Sequence, residues 1–462
     1  WRLFFDPFES YLGWIITTLT LNYVSIRWGL KRITKYSNPI FLSAIALAAT
    51  FNPAVTVQLS HPQMLSLYIF GPLLILWNQS LSMHTERLSV SSIILLLSLT
   101  LFNSIFNIYL AVYGAFCTLS VLIVHLTTRI SQKNYKLKIG SNLKSSLLFL
   151  IATVLSATYI YMPYLKALST FGERSDEQII ENLPKAASWF HSTTDLLLNA
   201  PYGLDFLKLN PEAIYGQEQS LFPGWFFLIA FTYSTILLLI KKTKSNDDIS
   251  SVIKLRWLFV SLFLVIATIN FYGFSLWLLI MKTIPGASAL RASSRVTMII
   301  IIFSSGFLAL SSEEWNLRLN LKAKAQEIFS LLVFLLSFCS IWIISSPSFA
   351  LKTWRLQSEQ LADKLNVPYC NVFWLSKSLK EPWARHIQAM HISLMTGIPT
   401  VNGVSGHSPK GGWPSEDPSM VQANAWIKKV MQSAIHEVKN NENDKYTLCE
   451  INDKEKQATR VD

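Results

Sequence analysis

The stretch LLFLIATVLSATYIYMPY, residues 147–164, runs for eighteen residues without a charged side chain. As an α-helix it would be about 27 Å long, close to the roughly 30 Å thickness of a bilayer's hydrocarbon core. Because lipid offers the backbone no hydrogen-bond partners, a segment that crosses it has to satisfy its own peptide groups, as a helix does. LFPGWFFLIAFTYSTILLLI (221–240) and IFSLLVFLLSFCSIWIISS (328–346) have the same character. These stretches predict an all-α polytopic membrane protein.

Ten such apolar stretches predict about ten transmembrane helices in this chain. They lie at residues 10–28, 38–57, 64–78, 89–102, 106–126, 147–164, 220–240, 257–279, 296–310 and 328–346. The spans 64–78, 89–102 and 296–310 are shorter than a perpendicular crossing requires, so half-helices, tilted helices and elements buried in protein all remain open there. The composition agrees with a membrane protein, since 51% of the residues are hydrophobic and only 15% are charged.

The loops between the predicted helices fall into two alternating sets that differ in charge. The basic set comprises residues 29–37, 79–88, 127–146, 241–256 and 311–327, and it holds seventeen lysines and arginines in 72 residues. The other set comprises residues 58–63, 103–105, 165–219 and 280–295, and it holds seven in 80 residues. Because positively charged loops stay in the cytoplasm, the second set and everything after residue 346 are predicted to lie outside it. In a bacterium this is a multi-pass protein of the inner (plasma) membrane with a periplasmic or extracellular C-terminal part.

The net charge of +12 does not indicate a nucleic-acid partner. The lysines and arginines lie in short loops between apolar stretches and build no basic face with interleaved aromatic residues. The expected surroundings are membrane lipids, and no nucleic acid is expected among the partners.

The composition changes after residue 346 and predicts two domains. Residues 1–346 form a transmembrane helical domain with a large outer loop at 165–219, and residues 347–462 form a small soluble α+β domain. The predicted elements of that domain are a polar helix at 354–365, a strand at 369–375, a Gly/Pro-rich loop at 396–418, a helix at 421–438 and a strand at 446–451.

The chain begins at Trp1 and enters an apolar stretch within about ten residues, without a signal peptide. This start predicts a fragment whose N-terminal part is missing. A processed mature terminus is the alternative.

The four cysteines and the histidines form no recognisable metal motif. Cys370 and Cys449 fall on predicted strands in an oxidising compartment, so a disulfide between them is one open possibility, whereas Cys117 and Cys339 are expected to pack inside helices. HExxH, paired-Cys, Walker, GxGxxG and GxSxG patterns are all missing from the sequence. Metal ligands are therefore not assigned.

Polar residues at the outer ends of the predicted helices are the candidates for binding. His61 and Gln63 begin one crossing, and Arg291 and Arg295 are spaced four apart at the outer mouth of another, so on a helix they share a face. An arginine binds phosphate through a planar bidentate fork. The alternatives are interfacial anchoring for His61 and Gln63, and snorkelling or pairing with a loop carboxylate for the two arginines.

Four segments resemble the bacterial branch of the GT-C superfamily of integral membrane glycosyltransferases. They are HPQ at 61–63, LFPGW at 221–225, IPGASALRA at 284–292 and GIPTVNGVSGH at 397–407. The resemblance implies transfer of a sugar from a polyprenyl-phosphate donor to an envelope acceptor at the outer membrane face. It implies no organic cofactor, while a divalent metal ion is used by some relatives and not by others.

The resemblance also implies roles for individual residues. An essential acidic residue in the first outer loop is typical of such enzymes. In this chain Asp6 and Glu9 are the acidic residues that remain of that loop, and they are the candidate catalytic bases. Arg291 and Arg295 would bind the phosphate and His61, with Gln63, would position the donor. Independently of the resemblance, Asn402 and His407 lie in a Gly-rich stretch that could contact sugar, and tight turns that tie the outer domain together are the interpretation that the glycines favour. The competing functions are a non-catalytic scaffold of envelope biogenesis and a lipid or polysaccharide transporter.

Overall fold

The structure is a computed structural model, and it is predominantly helical. It describes residues 7–34, 38–56, 58, 61–82, 90–131, 142–171, 176–190, 219–242, 249–283, 290, 293–319, 328, 331–335, 351–365, 370, 372–375, 382–402, 425–426, 448–451 and 459–461.

The chain divides into two compact units. The bundle unit comprises Ile15–Leu165 and Glu173–Ser346, and the sheet unit comprises Trp1–Trp14, Lys166–Gly172 and Pro347–Asp462. The sheet unit thus contains the predicted C-terminal domain together with two short segments that precede it in the sequence.

The helices that build the bundle unit, including two that continue into the sheet unit, follow the apolar stretches of the sequence. They are α1 (Pro7–Ile33), α2 (Pro39–Thr50), α3 (Pro53–Thr56), α4 (Phe70–Leu81), α5 (Val90–Phe102), α6 (Ile108–Ser131), α7 (Leu143–Phe171), α8 (Asp176–Glu181), α9 (Trp225–Lys242), α10 (Ile249–Thr268), α11 (Leu276–Thr283) and α12 (Val296–Leu319). Short 3-10 turns precede α4, α6 and α12 at Pro62–Leu65, Asn103–Ile105 and Ser293–Arg295, and another lies at Ala186–Phe190.

Five apolar helical segments in the described part of the chain are long enough to cross a membrane. They are Gln63–Leu81, Ile108–Thr128, Leu143–Met162, Ser250–Thr268 and Ser293–Ser312. Pro39–Thr50, Val90–Ile105 and Trp225–Ile240 are apolar but shorter. The prediction of a helical protein with several membrane-compatible helices is therefore confirmed, while the count of ten crossings stays a prediction.

The expected single helix at 257–279 is wrong. Helix α10 ends at Thr268, and a tight turn then leads to α11 at Leu276. The turn holds Tyr272 and Gly273 at φ values of 51° and 89°, which a continuing helix does not allow. Asn270 stabilises it, because its Oδ1 accepts a hydrogen bond from the Gly273 N–H at 2.7 Å. Composition alone does not reveal this break, because the turn residues Phe271, Tyr272 and Phe274 are themselves apolar or aromatic.

Large aromatic side chains and small residues share the interior of the bundle. The ring of Phe303 lies 5.2 Å from that of Trp77 and 4.4 Å from that of Trp257, so α4, α10 and α12 meet at one aromatic cluster. Elsewhere Gly29 of α1 faces Gly71 of α4 so closely that a Cβ on either glycine would collide with the backbone of the other helix. Glycine at both positions is what permits this approach.

Buried charges join helices at one end of the bundle, which we call the Lys254 end. The Lys254 ammonium donates to Glu314 Oε1 at 2.7 Å, and both side chains are nearly inaccessible. Arg256 donates to the Leu81 carbonyl at 2.9 Å, where a cation neutralises the negative end of helix α4. The sequence assigned both cations to a loop ending at 256, whereas α10 already begins at Ile249.

The described part of the sheet unit contains α13 (Leu351–Asp363), α14 (Pro382–Thr396) and the strands β1 (Val372–Leu375), β2 (Leu448–Ile451) and β3 (Thr459–Val461). The sheet order is β1-β2-β3, with β1 parallel to β2 and β2 antiparallel to β3. Thr400 adds a further parallel bridge on the other side of β1, to Phe373. Cys370 and Cys449 form a disulfide within the apolar cluster of this unit.

The imidazole of His391 in α14 is half-buried and contacts α13. Burial lowers the pKa of its imidazole, and its Nδ1 accepts a hydrogen bond from the Trp354 indole at 3.0 Å. This bond joins α13 to α14. The sequence predicted α13 and the strands β1 and β2 but missed α14.

Candidate functional site

Described residues of the predicted outer loop 165–219 bond to the helix ends that lie farthest from Lys254. We call this end of the bundle the Arg295 end. The Asn182 carbonyl accepts a hydrogen bond from the Ser294 N–H at 3.3 Å, and the Pro184 carbonyl accepts one from the Asn270 N–H at 2.7 Å. Because backbone groups make these bonds, the loop is fixed on α10, α11 and α12 by geometry that most substitutions leave intact.

Gln219 closes the loop by binding three groups of its first half. Its Oε1 accepts from the Ser188 hydroxyl at 2.6 Å, and its Nε2 donates to the Leu183 carbonyl at 3.2 Å and more weakly to the Glu181 carbonyl at 3.4 Å. The next residues, LFPGW at 221–225, lead directly into α9. This segment therefore holds the loop's end against its beginning.

Arg295 is a buried cation among the described residues at this end. Arg295 is only 7% exposed, and its guanidinium carbon lies 5.4 Å from the centre of the Tyr109 ring. Ser293 and Ser294, which precede it, are fully buried. A guanidinium keeps its charge under all conditions in a protein, so a buried one has to be balanced by an aromatic face or by negative charge. Arg295 thus places a fixed positive charge where α12 enters the bundle.

Several buried polar atoms near this end make no hydrogen bond with the protein in the described part of the chain. They are Gln58 Oε1, Asn103 Oδ1, Ser104 Oγ, Trp277 Nε1 and Thr297 Oγ1. Each belongs to a residue no more than 4% exposed. Leaving a buried polar atom unbonded costs about 1–3 kcal/mol, so each of these atoms is a candidate for contact with a polar ligand.

The structure places some predicted residues in the bundle unit. His61 precedes the 3-10 turn Pro62–Leu65 and its carbonyl accepts from the Met64 N–H at 2.8 Å, while the Gln63 side chain is exposed. Both lie, like Arg295, at the end of the bundle away from Lys254. Arg291 lies outside the described residues.

Other predicted residues belong to the sheet unit. The Asn402 amide is used by the backbone of β1, because Oδ1 accepts from the Leu375 N–H at 2.6 Å and Nδ2 donates to the Leu375 carbonyl at 3.1 Å. Glu9 is exposed, and its carboxylate lies 3.6 Å from Arg355. Asp6 and His407 lie outside the described residues.

Sequence reasoning missed the aromatic and hydroxyl groups around Arg295. Tyr109 and Trp277 are ordinary members of apolar stretches, and their rings meet through Tyr113, whose ring lies 5.9 Å from Tyr109 and 5.6 Å from Trp277. Their proximity depends on the pairing of α6 with α11 and α12, which no local pattern encodes. A search for polar atoms at the ends of apolar stretches would have found Asn103 and Thr297.

Within the described ranges, no group of three or more His, Cys, Asp or Glu side chains is arranged to hold a metal ion. Comparisons of the chain with protein-family models, with curated proteins and with solved structures find no match. The chemistry of the site rests on its own residues.

Proposed function

We propose that this chain is a membrane glycosyltransferase that moves a sugar from a polyprenyl-phosphate donor to an acceptor of the cell envelope, with the donor phosphate bound at Arg295. The observation that carries the proposal is the buried guanidinium of Arg295 over the Tyr109 ring at the end of a membrane-compatible helix. A lipid-linked phosphate lies at the same depth as the ends of such helices. The polyprenyl chain would lie along the apolar helices below it.

The chemistry requires three tasks from the protein. The acceptor hydroxyl attacks the sugar's anomeric carbon, the bond from that carbon to the phosphate oxygen breaks, and a base takes the hydroxyl proton. Polyprenyl phosphate leaves with added negative charge, which a pre-positioned guanidinium stabilises. The buried atoms Gln58 Oε1 and Thr297 Oγ1 offer hydrogen bonds for sugar hydroxyls. Asp6 and Glu9 remain the proposed sources of the base, with His61 and Arg291 as further donor contacts.

The proposal includes a location. The Arg295 end and the sheet unit would face the periplasm or the cell exterior from a bacterial inner membrane. His407 of the sheet unit stays a proposed sugar contact, whereas both amide atoms of Asn402 are used by the backbone of β1.

The test uses the full chain in nanodiscs. Polyprenyl phosphate binding is measured by native mass spectrometry, and release of polyprenyl phosphate from lipid-linked sugars is measured by chromatography. Arg295→Lys keeps the charge but removes the planar fork, so we expect binding to weaken by about 10- to 100-fold, the value of a charge-assisted hydrogen bond of about 1.5–3 kcal/mol. Arg32→Lys is the matched control, because Arg32 also lies over an aromatic ring, that of Trp28 at 5.9 Å, but is exposed.

The outcomes separate the competing functions. Equal binding by the Arg295 and Arg32 variants would remove Arg295 from the phosphate site. Binding without sugar release from any donor would favour a scaffold, and movement of the lipid between leaflets without sugar release would favour a transporter.

A further inference from the structure

Helix α14 of the sheet unit is apolar on the side that faces away from its own core. Its core side contains Ala389 and Ile392, which pack in the apolar cluster of the unit. On the opposite side, Ile387, Met390 and Leu394 follow one another at intervals of three and four residues, so they form one stripe along the helix. Met390 is 42% exposed, Leu394 is 62% exposed and Ile387 is partly exposed. We call these three residues the α14 stripe.

The neighbouring helix of the same unit has an outward side of the ordinary kind. Helix α13 buries Ser358 and Leu361 and exposes Leu356, Gln360 and Asp363 on its opposite side. Polar and charged residues on the outward side of a helix are typical of a surface that faces water. The α14 stripe contains apolar residues only, and a contiguous exposed apolar surface is typical of a contact with a partner.

The chain enters the sheet unit close to the end of a membrane-compatible segment. That segment, Leu143–Met162, belongs to α7, which continues as helix to Phe171, and Lys166–Gly172 are part of the sheet unit. Four residues of α-helix rise about 6 Å, so the sheet unit begins only this far along the helix beyond the segment. A second tie is the contact of 3.6 Å between Arg355 of α13 and Glu9 in the first turn of α1. The sheet unit is therefore held near the bilayer surface by the chain itself.

The size and the charge of α14 favour lipid as the partner of the stripe. A stable interface between proteins buries about 1,200–2,000 Å² in total, which is far more than three side chains supply. A unit that is already tethered to membrane helices needs only a small contact to stay on a bilayer, because the tether keeps its effective concentration there high. Helix α14 contains no aspartate or glutamate, so it carries no charge that phosphate headgroups would repel. An apolar stripe on such a helix can be buried at the boundary between headgroups and acyl chains.

We propose that the α14 stripe docks the sheet unit on the phospholipid surface of the bilayer that the bundle unit spans, with Ile387, Met390 and Leu394 at the boundary between headgroups and acyl chains. The proposal requires only that the bundle unit spans a membrane. It does not rest on sugar transfer or on Arg295, so the outcome of either test leaves the other unaffected.

The experiment measures what a nitroxide label on the stripe collides with. The label is attached at Leu394→Cys or, as the control on the outward side of α13, at Gln360→Cys, in a full chain that keeps its disulfide but lacks the other two cysteines. The chain is placed in nanodiscs of phosphatidylcholine and phosphatidylglycerol. Oxygen concentrates in lipid and a nickel chelate stays in water, so we expect the Leu394 label to be relaxed mainly by oxygen and the Gln360 label mainly by nickel. Equal relaxation of both labels by nickel would place the stripe in water, and shielding of the Leu394 label from both reagents would show that protein covers it; either result would overturn the proposal.

A second set of variants separates the effect of the stripe from that of the tether. With the label at Ile387→Cys, the double variant Met390→Ser/Leu394→Ser should lose the preference for oxygen, because its helix no longer gains from contact with lipid. Leu356→Ser is the matched control, since it removes a 47% exposed leucine from α13 and should leave the preference unchanged. The substituted positions are exposed, so thermal unfolding should show an intact fold in each variant. An Ile387 label that keeps its preference for oxygen in the double variant would overturn the proposal, because the stripe would then not hold the helix on lipid.

Discussion

The Lys254–Glu314 pair is an ionic contact between α10 and α12, two helices that also pack through the rings of Trp257 and Phe303. Both side chains are almost inaccessible, at 3% and 11%. Removing one member of a buried pair leaves an uncompensated charge in a low-dielectric interior, which costs more than the pair itself contributes. The effect of a substitution at this pair therefore depends on whether the other charge remains.

We expect Glu314→Gln to lower the free energy of unfolding by about 3–5 kcal/mol, because Lys254 then remains charged and unpaired. The double variant Lys254→Met/Glu314→Leu should recover most of this loss. The measurement is equilibrium unfolding in mixed micelles. The control is Glu359→Gln, which breaks the half-exposed pair with Arg355 and should cost about 0–1 kcal/mol. Similar losses for both single variants would show that the Lys254 pair is not buried in the membrane-embedded protein.

The turn between α10 and α11 is the structural element with the clearest relation to the bilayer. Phe271, Tyr272 and Phe274 are 48%, 97% and 72% exposed, although large aromatic residues usually pack inside. Aromatic side chains concentrate at the boundary between hydrocarbon and water, where their rings are solvated by headgroups. The turn follows a membrane-compatible helix, so these rings are positioned to lie in that boundary.

We expect a fluorophore at Tyr272→Cys to be quenched most strongly by lipids brominated near the glycerol backbone. A fluorophore at Leu155→Cys, an exposed position in the middle of the membrane-compatible part of α7, should be quenched most strongly by lipids brominated deep in the chain. Both labels go into a background without Cys117 and Cys339, in nanodiscs. A Tyr272 label that no brominated lipid quenches would place the turn in water.

The chain as a whole carries an internal test of its orientation. Cys370 and Cys449 lie 79 residues apart in the sequence and join β1 to β2 in the sheet unit. Disulfides persist in oxidising compartments and are reduced in the cytoplasm. The disulfide and the charge bias of the loops are thus two independent reasons for predicting that the sheet unit lies outside the cytoplasm.

We expect both cysteines to resist alkylation by membrane-permeant N-ethylmaleimide in intact cells and to react after reduction, as read by peptide mass spectrometry. Cys370→Ser should also lower the stability of the chain by about 2–4 kcal/mol through the loss of the crosslink. Cys117 is free and buried, so it should react only on unfolding and serves as the internal control. Alkylation of Cys370 and Cys449 without a reductant would place the sheet unit in the cytoplasm and reverse the predicted orientation.

The sequence predicted the helices that their own composition specifies. It failed where an element depends on residues that are distant in the sequence. Runs such as 147–164 specify a helix by their own composition, and α7 spans that run. The break after Thr268 depends on Asn270, whose N–H bonds to Pro184 in a distant loop. The sequence did not predict α14, because Arg385 and Gln388 interrupt the apolar stripe of this helix. Both residues are nevertheless buried, which hydropathy does not predict.

The candidate site was predictable in part. A cation at the mouth of an apolar stretch is unusual enough to identify Arg295, but its stacking on Tyr109 joins residues 186 positions apart and depends on the packing of α6 against α12. The pairing of Cys370 with Cys449 is one open possibility in the sequence, and the structure joins these two cysteines in a disulfide.

The glycine contact between α1 and α4 limits how this bundle can move. Where Gly29 meets Gly71, the two backbones touch without intervening side chains, so the helices have no compressible layer between them. Pulling them apart would open a void, and sliding them would break the hydrogen bonds that Asn22 and Ser25 of α1 donate to the Leu65 and Tyr68 carbonyls. The contact between α1 and α4 is therefore expected to stay closed while other parts of the bundle move.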